Sequence, residues 1–268
     1  MIKWKKILVY IILSIVSLIS IFPLYWMISA ATNKSVDVTR GKLLPGDQLF
    51  ENIRNLTAQY NVGGAMWNSF KYALILTLLS LLICSLAGYG FEIYHDRAKD
   101  KVMNILLLAM MVPFVAIMIP LYQMFAQMRL LNCTLGFILP TLSTPFLIML
   151  FRQSSRSFPT DIIEAARMDG LNELQIFFQM FLPIMKSTYA AAMTITFMNA
   201  WNSYLWPKVI MTSKESITMP MLVANLKEGY VTDYGMLMLA VLLCTLPTAI
   251  VFFVLQKSFA EGITGAVK

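Results

Sequence analysis

Six stretches of the chain, residues 7–27, 72–91, 102–124, 130–151, 188–206 and 234–255, run without a single Asp, Glu, Lys, Arg or His. Each supplies the roughly 20 apolar residues that a helix needs to cross about 30 Å of hydrocarbon. No water is available there to receive bare N–H and C=O groups, so such stretches fold as helices that satisfy their own backbones. The expected fold is all-α: a polytopic membrane protein of six transmembrane helices forming one domain over residues 1–268. Composition agrees, with 13% charged residues where an ordinary soluble domain carries about a quarter.

The N-terminus, with Lys3, Lys5 and Lys6 ahead of an apolar run and Ser29-Ala30-Ala31 behind it, has the outline of a secretory signal. Its apolar run exceeds the roughly 7 to 15 residues of a signal core, which favours an uncleaved helix. Lys and Arg in the short loops place the N-terminus inside. That side then receives Lys3, Lys5, Lys6, Arg97, Lys99, Lys101, Arg152, Arg156, Arg167, Lys186, Lys257 and Lys268, and both termini are cytoplasmic. The net charge of +7 is accounted for by basic loops facing anionic headgroups and requires no nucleic acid. Cys84, Cys133 and Cys244 show no metal or redox spacing, and the 20 methionines read as adaptable core filling. Neither a metal nor a bound cofactor is expected.

Residues 32–71, with Pro45-Gly46 and Gly63-Gly64, read as an external loop containing a short helix near 51–59. In the second span Ser80, Cys84 and Gly88 recur at every fourth position, a row of small residues where another helix can approach closely. Pro113 and Pro120 in the third span each remove a backbone hydrogen bond and bend the helix. The freed carbonyls either border an interior path or the kinks simply shape the packing.

Nothing in the spans supplies energy. Ion-coupled carriers place ionisable residues inside the membrane, and this chain has none there; it also lacks a Gly-x-x-x-x-Gly-Lys-Ser/Thr loop to cradle a nucleotide. If it moves a solute, it does so passively or is driven by a separate polypeptide. The charged loop 152–186 favours the second. Pro159 and Thr160 open a helix there, Asp161 complements its dipole, and Gly170 stands where a left-handed residue ends it. Asn172 can cap a second helix reciprocally with Gln175, and that helix runs through Phe177, Phe178 and Phe181 to Pro183. Ala165 and Ala166 keep the first helix slim enough for a groove, Ile162, Ile163 and Met168 offer apolar contact, and Glu164 offers a charge to a cation. On residues alone this helix either docks on a partner or rests on lipid.

The run Glu164-Ala165-Ala166-Arg167-Met168-Asp169-Gly170 resembles the Glu-Ala-Ala-x-x-x-Gly loop in permease subunits of bacterial binding-protein-dependent ABC sugar importers. The resemblance extends from about Asn68 to the C-terminus. It includes Asn68-Ser69, Met111-Val112-Pro113, Ile119-Pro120-Leu121-Tyr122, Leu130-Leu131-Asn132, Ile138-Leu139-Pro140, Trp201-Asn202-Ser203-Tyr204-Leu205-Trp206-Pro207 and the ending Glu261-Gly262-Ile263-Thr264-Gly265-Ala266-Val267-Lys268. It is most specific for the smaller permease of maltose-type oligosaccharide importers. The resemblance implies that Glu164, Ala165, Ala166, Asp169 and Gly170 form a coupling helix docked in a cleft of an ATP-binding subunit. ATP and Mg would then be held by those subunits, and the chain itself would catalyse no covalent chemistry. It also implies a larger permease partner, two ATP-binding subunits and an extracytoplasmic sugar-binding protein, in a bacterial plasma membrane. The solute is expected to be a di- or oligosaccharide. A related importer for glycerol phosphate, an ATP-independent carrier and a membrane scaffold or sensor are the alternative readings.

Asn199, Asn202, Ser203 and Trp206 share one face of a continuous fifth span at i, i+3, i+4 and i+7, so that amides, a hydroxyl and an indole can bond sugar hydroxyls and stack on a ring. The other reading makes Trp201, Tyr204 and Trp206 an interfacial aromatic belt and the asparagines interhelical glue. The resembled family carries an acidic or amide residue where this chain has Ser203. Residues 208–233 read as an exposed polar loop, which the resemblance turns towards the binding protein. The tail 256–268 is too polar for lipid, and the resemblance gives it a second contact with the ATP-binding subunits.

Overall fold

A computed structural model describes residues 2–228 and 232–266, and among these every regular element is helical. In chain order they are α1 (Ile2–Ala31), α2 (Ser35–Thr39), α3 (Leu49–Gln59), α4 (Val62–Ile93), α5 (Arg97–Ala109), α6 (Phe114–Gln127) and α7 (Thr134–Ile138). There follow α8 (Pro145–Ser155), α9 (Thr160–Met168), α10 (Glu173–Ile176), α11 (Leu182–Ile184), α12 (Lys186–Trp201), α13 (Leu205–Ile210), α14 (Met219–Asn225) and α15 (Tyr234–Ala266).

Within α1, α4 and α15 an unbroken apolar stretch is long enough to cross a membrane. Two further crossings require counting bent pairs: α5 with α6, which meet at 96°, and Thr134–Thr141 with α8, at 56°. The stretch 188–206, expected as a single span, gives the 16-residue α12 and then breaks. Proline explains the breaks before α6 and α8. Pro113 has no N–H to continue α5 and becomes the extended residue that precedes α6, whereas Pro120 is carried inside α6. Pro145 opens α8, a position where its missing donor costs nothing.

The chain divides into two packed units, Met1–Met66 with Met219–Pro247, and Trp67–Thr218 with Thr248–Lys268. In the first, the apolar length of α1 is uncovered: Ile7, Leu8, Leu18 and Phe22 all face outward. Its C-terminal end is tied down instead, because Asn33 donates to the carbonyls of Ser29 and Leu44, and Asn52 to those of Ala31 and Asn33. The short external helix is found as α3. Gly63-Gly64, expected in the loop, lie in the first turn of α4, where the Asn61 side chain accepts from the Gly64 N–H. At the other end α15 continues through most of the expected tail to Ala266. Val267-Lys268, and Gly229 to Val231 of the expected outer loop, lie outside the described residues.

In the second unit α4 and α8 approach at backbone distance, as the row of small residues anticipates. Ser80 donates to the Leu142 carbonyl at 2.7 Å. Cys84 is fully buried, and a Cβ on Gly88 would lie 2.6 Å from the Phe151 Cβ and 2.7 Å from the Arg152 nitrogen. Ser80 thereby satisfies a carbonyl in the break before α8, where the helix itself leaves it open. Leu81, Met103, Leu147, Ile148, Phe151 and Ala192 fill the core beside this contact. The loop expected from Arg152 begins later than that residue: Arg152 belongs to α8, is 5% exposed, and pairs with Glu92 and Asp100.

Candidate functional site

The Glu164 segment forms a helical hairpin whose ends are fixed by local chemistry. Asp161 lies in the first turn of α9, and the helix closes in a Schellman arrangement around Gly170 at φ +82°. The Gly170 N–H donates to the Arg167 carbonyl at 3.1 Å and the Leu171 N–H to that of Ala166 at 3.0 Å. Asn172 and Gln175 then cap α10 reciprocally, as their spacing predicts. Beyond Ile176 the backbone widens into a π-turn over Phe177–Phe181. Pro183 just downstream has no N–H and crowds the carbonyl four residues back, and the wider turn relieves this. Arg167 fastens the hairpin: its Nε donates to Glu173 Oε1 at 2.8 Å and its guanidinium lies 6.0 Å from the Tyr94 ring centroid. Hydrogen bonds from Arg167 and then Tyr94 hold the Glu173 carboxyl below the usual carboxylate range.

The two faces of α9 differ sharply. Ile163 and Ala166 are buried in one core with Tyr89, Phe158, Ile176, Phe177, Phe181 and Met185. This corrects the expectation that Ile163 and Ala166 face a partner; they mount the helix on its own chain. Glu164, Ala165, Met168, Asp169 and Gly170 face outward. Met168 is 84% exposed, and the Glu164 carboxylate has no partner among the described residues. Leu174 and Phe178 are exposed as well. Sequence reasoning did not single out this pair, although its i, i+4 spacing marks one helical face.

A cavity of about 480 Å³ lies within the second unit, and Asn199, Asn202, Ser203 and Trp206 all line it. They do so without forming one continuous helical face. α12 ends at Trp201, Asn202 follows at φ −83°, and Ser203 and Tyr204 are non-helical before α13 begins. The break leaves last-turn carbonyls of α12 without helical donors. Thr141, Thr144 and Thr196 add hydroxyls, Phe114, Phe137 and Phe146 add rings, and no Asp, Glu, Lys, Arg or His lines the space. Phe114 directly follows Pro113, so the proline break of the third stretch borders this interior space. The side-chain amides of Asn199 and Asn202 have no hydrogen-bond partner among the described residues and are free for a guest or water.

Trp206 is a wall of the cavity, which corrects its expected role as a stacking surface. Its indole is 4% exposed, stands edge-on to Phe114 and Phe125 at 5.9 and 5.4 Å, and donates Nε1–H to the Gly136 carbonyl at 2.9 Å. Trp201 is buried and stacked on Phe197, which removes it from an interfacial belt; Tyr204 is half-buried on the cavity. Chemically, the cavity can hydrogen-bond a neutral guest through amides, hydroxyls and carbonyls, and it offers no cation to an anion.

Residues 85–265 match the family described as binding-protein-dependent transport system inner membrane component. Over 259 residues the chain is 45% identical to the lactose transport system permease protein LacG of Rhizobium radiobacter, covering 97% of this chain and 95% of that protein. It is 33% identical to the arabinooligosaccharides transport system permease protein AraQ of Bacillus subtilis (strain 168), covering 94% and 92%. The sn-glycerol-3-phosphate transport system permease protein UgpE of Salmonella typhi is 30% identical, with 92% of each covered. A chain in the crystal structure of a bacterial ABC transporter involved in the import of the acidic polysaccharide alginate has the same fold, with a TM-score of 0.82 at 23% identity over 95% of this chain and 96% of that one.

Proposed function

The chain belongs to the family of binding-protein-dependent transport system inner membrane components, and on that footing we propose that it is the smaller of two permease subunits in an ATP-driven importer of a di- or oligosaccharide. The lactose and arabinooligosaccharide permeases among its relatives support this solute class. The cavity supports it separately, because amides, hydroxyls and rings without fixed charge suit a neutral polyol. A glycerol phosphate importer, the function named for a relative at 30% identity, would have to carry an anion through a space with no cation in its lining.

One observation carries the reading: α9 is two-sided. Ile163 and Ala166 are locked into a core of the chain while Glu164 and Met168 face outward unpartnered. A helix mounted in this way suits docking in a cleft of an ATP-binding subunit, since a contact transmits displacement only when the helix cannot slip against its own chain. Glu164 is not the driver by itself. An exposed ion pair contributes about 0 to 1 kcal/mol, whereas reversing a 1:99 equilibrium takes roughly 5.5 kcal/mol; the whole helix acts as the lever.

In this scheme both termini and α9 are cytoplasmic, in the plasma membrane of a bacterium. Two ATP-binding subunits hold ATP and Mg, and this chain binds no cofactor. A larger permease completes the path, in which Asn199, Asn202 and Ser203 meet the sugar, and an extracytoplasmic binding protein delivers it on the side of residues 208–233. ATP binding favours an outward-open arrangement and hydrolysis resets it. The test is Glu164→Lys in the complete importer reconstituted in vesicles: insertion and pairing of the permeases are expected to persist, with ATP-driven uptake abolished. Uptake at the wild-type rate removes the docking assignment.

A further inference from the structure

The last two turns of α4 are gripped from both sides. On one side is the α9 hairpin: the Tyr89 ring meets Phe177 at 5.4 Å and Phe181 at 4.9 Å, both edge-on, and shares a buried core with Ile163 and Ala166. Arg167 of α9 lies over Tyr94. On the other side is the end of α8. Arg152 donates through Nε to Glu92 Oε2 at 3.1 Å and through Nη2 to Asp100 Oδ1 at 2.6 Å, while Arg156 Nε reaches Glu92 Oε1 at 3.3 Å. His95 Nε2 lies 3.0 Å from Asp100 Oδ2. Arg152 thus ties three separate helices, α4, α5 and α8, through a side chain that is almost wholly buried.

We infer that Glu92 and Arg152 form an ionic joint through which displacement of α9 enters the membrane helices, so that the end of α4 moves together with α5 and α8 instead of sliding past them. The inference rests on the reading of α9 as the docking helix. Two properties of the joint argue for it. Ring contacts such as Tyr89 with Phe181 tolerate sliding, whereas a buried guanidinium bonded to carboxylates on two elements resists it, because drawing the largely buried Glu92 away from Arg152 removes a charge partner from a guanidinium shielded from water. Stability alone does not call for the pair, since apolar residues of similar volume commonly pack as well or better in such a place. Gly88 sharpens the geometry: it brings the α4 backbone against Phe151 and Arg152 one turn before Glu92, so the joint sits beside a backbone-distance contact of the two helices. Glu92 and Arg152 are accordingly positioning residues, touching neither sugar nor nucleotide.

The experiment uses the complete importer in vesicles, with sugar uptake and ATP hydrolysis measured on the same preparation. Glu92→Gln, and Glu92→Met combined with Arg152→Met, are expected to assemble and to retain ATP hydrolysis stimulated by the loaded binding protein, while sugar transported per ATP falls at least tenfold; Arg152→Lys, which keeps the charge, should retain part of the ratio. An unchanged ratio in both Glu92 variants overturns the inference. Variants that fail to assemble leave a second measurement on the intact joint. Spin labels at Lys101→Cys and Gln179→Cys, with Cys84, Cys133 and Cys244 replaced by serine, should report one fixed separation with and without ATP, and a separation that changes by several ångströms overturns the inference just as directly. Glu164→Lys serves as the control. Its normal uptake would remove the docking reading itself, whereas its failure beside fully coupled Glu92 variants would remove only the joint.

Discussion

Substitution at Gly170 separates the backbone requirement of α9 from its contact with a partner. The residue sits at φ +82°, and a Cβ added there would meet nothing within 4 Å. Any cost inside the chain is therefore conformational: a non-glycine residue in the left-handed region loses roughly 1 to 2 kcal/mol, and Asn, which tolerates it better, less. A penalty of about 1 kcal/mol changes the population of the closed helix end by a factor of about 5. The mount opposing it is larger, since truncating a single buried residue such as Ile163 costs about 2 to 5 kcal/mol. Gly170→Asn is expected to transport almost normally, Gly170→Ala with a modest loss, and Gly170→Trp, which adds an indole to the outward face at similar backbone strain, with uptake abolished and ATP-binding subunits lost on purification. Reconstituted uptake and subunit recovery read the series. Equal damage by Asn and Trp would show that backbone strain governs the site, and a Trp variant no worse than Ala would show that nothing docks there.

Other outcomes follow from the same geometry. Asn199→Leu with Asn202→Leu should lower uptake about fivefold or more while binding-protein-stimulated ATP hydrolysis persists, because each amide worth about 0.5 to 1.5 kcal/mol to a sugar hydroxyl is removed without touching α9; unaltered uptake would take these residues out of the path. Trp206→Phe leaves the Gly136 carbonyl without its donor and should reduce thermal stability by about 1 to 3 kcal/mol with the apparent KM for sugar unchanged. A shift confined to KM would restore Trp206 as a sugar contact. The Glu173 carboxyl is held below its ordinary pKa, so its contribution is present above the unfolded value of about 4.3 and is lost as pH falls through the lower folded value. Amide exchange in the 160–186 hairpin, corrected for intrinsic rate, should therefore be flat through neutral pH and rise only in acid. A rise near pH 7 would assign the protection to another group.

How far these features were legible in the sequence depends on the range of the interactions that set them. The start of α9 at Thr160, its end at Gly170 and the Asn172–Gln175 cap are decided by neighbours within a few residues, and all appear where they were expected. The row Ser80, Cys84 and Gly88 needed only helical periodicity. Breaks were harder to see: Leu142-Ser143-Thr144 before Pro145 and Asn202-Ser203-Tyr204 carry turn-forming residues, but each lies inside a stretch whose charge-free length reads as one span. Which face of α9 turns inward was misjudged at Ile163 and Ala166, because the core that receives them comes from Tyr89 and the Phe177–Phe181 turn. The same limit hid the buried pairing of Arg152. Its acceptors lie 60 and 52 positions away in sequence, and an arginine at a helix end otherwise reads as a loop residue.

In the proposed importer α9 is held by its own chain on one face and gripped by an ATP-binding subunit on the other. Ala165, small and outward-facing between Glu164 and Ala166, is the place to ask. A photoreactive amino acid installed there in the assembled importer should crosslink to an ATP-binding subunit, in yields that change between nucleotide-free and ATP-bound states. Adducts to lipid alone, in every nucleotide state, would contradict the account.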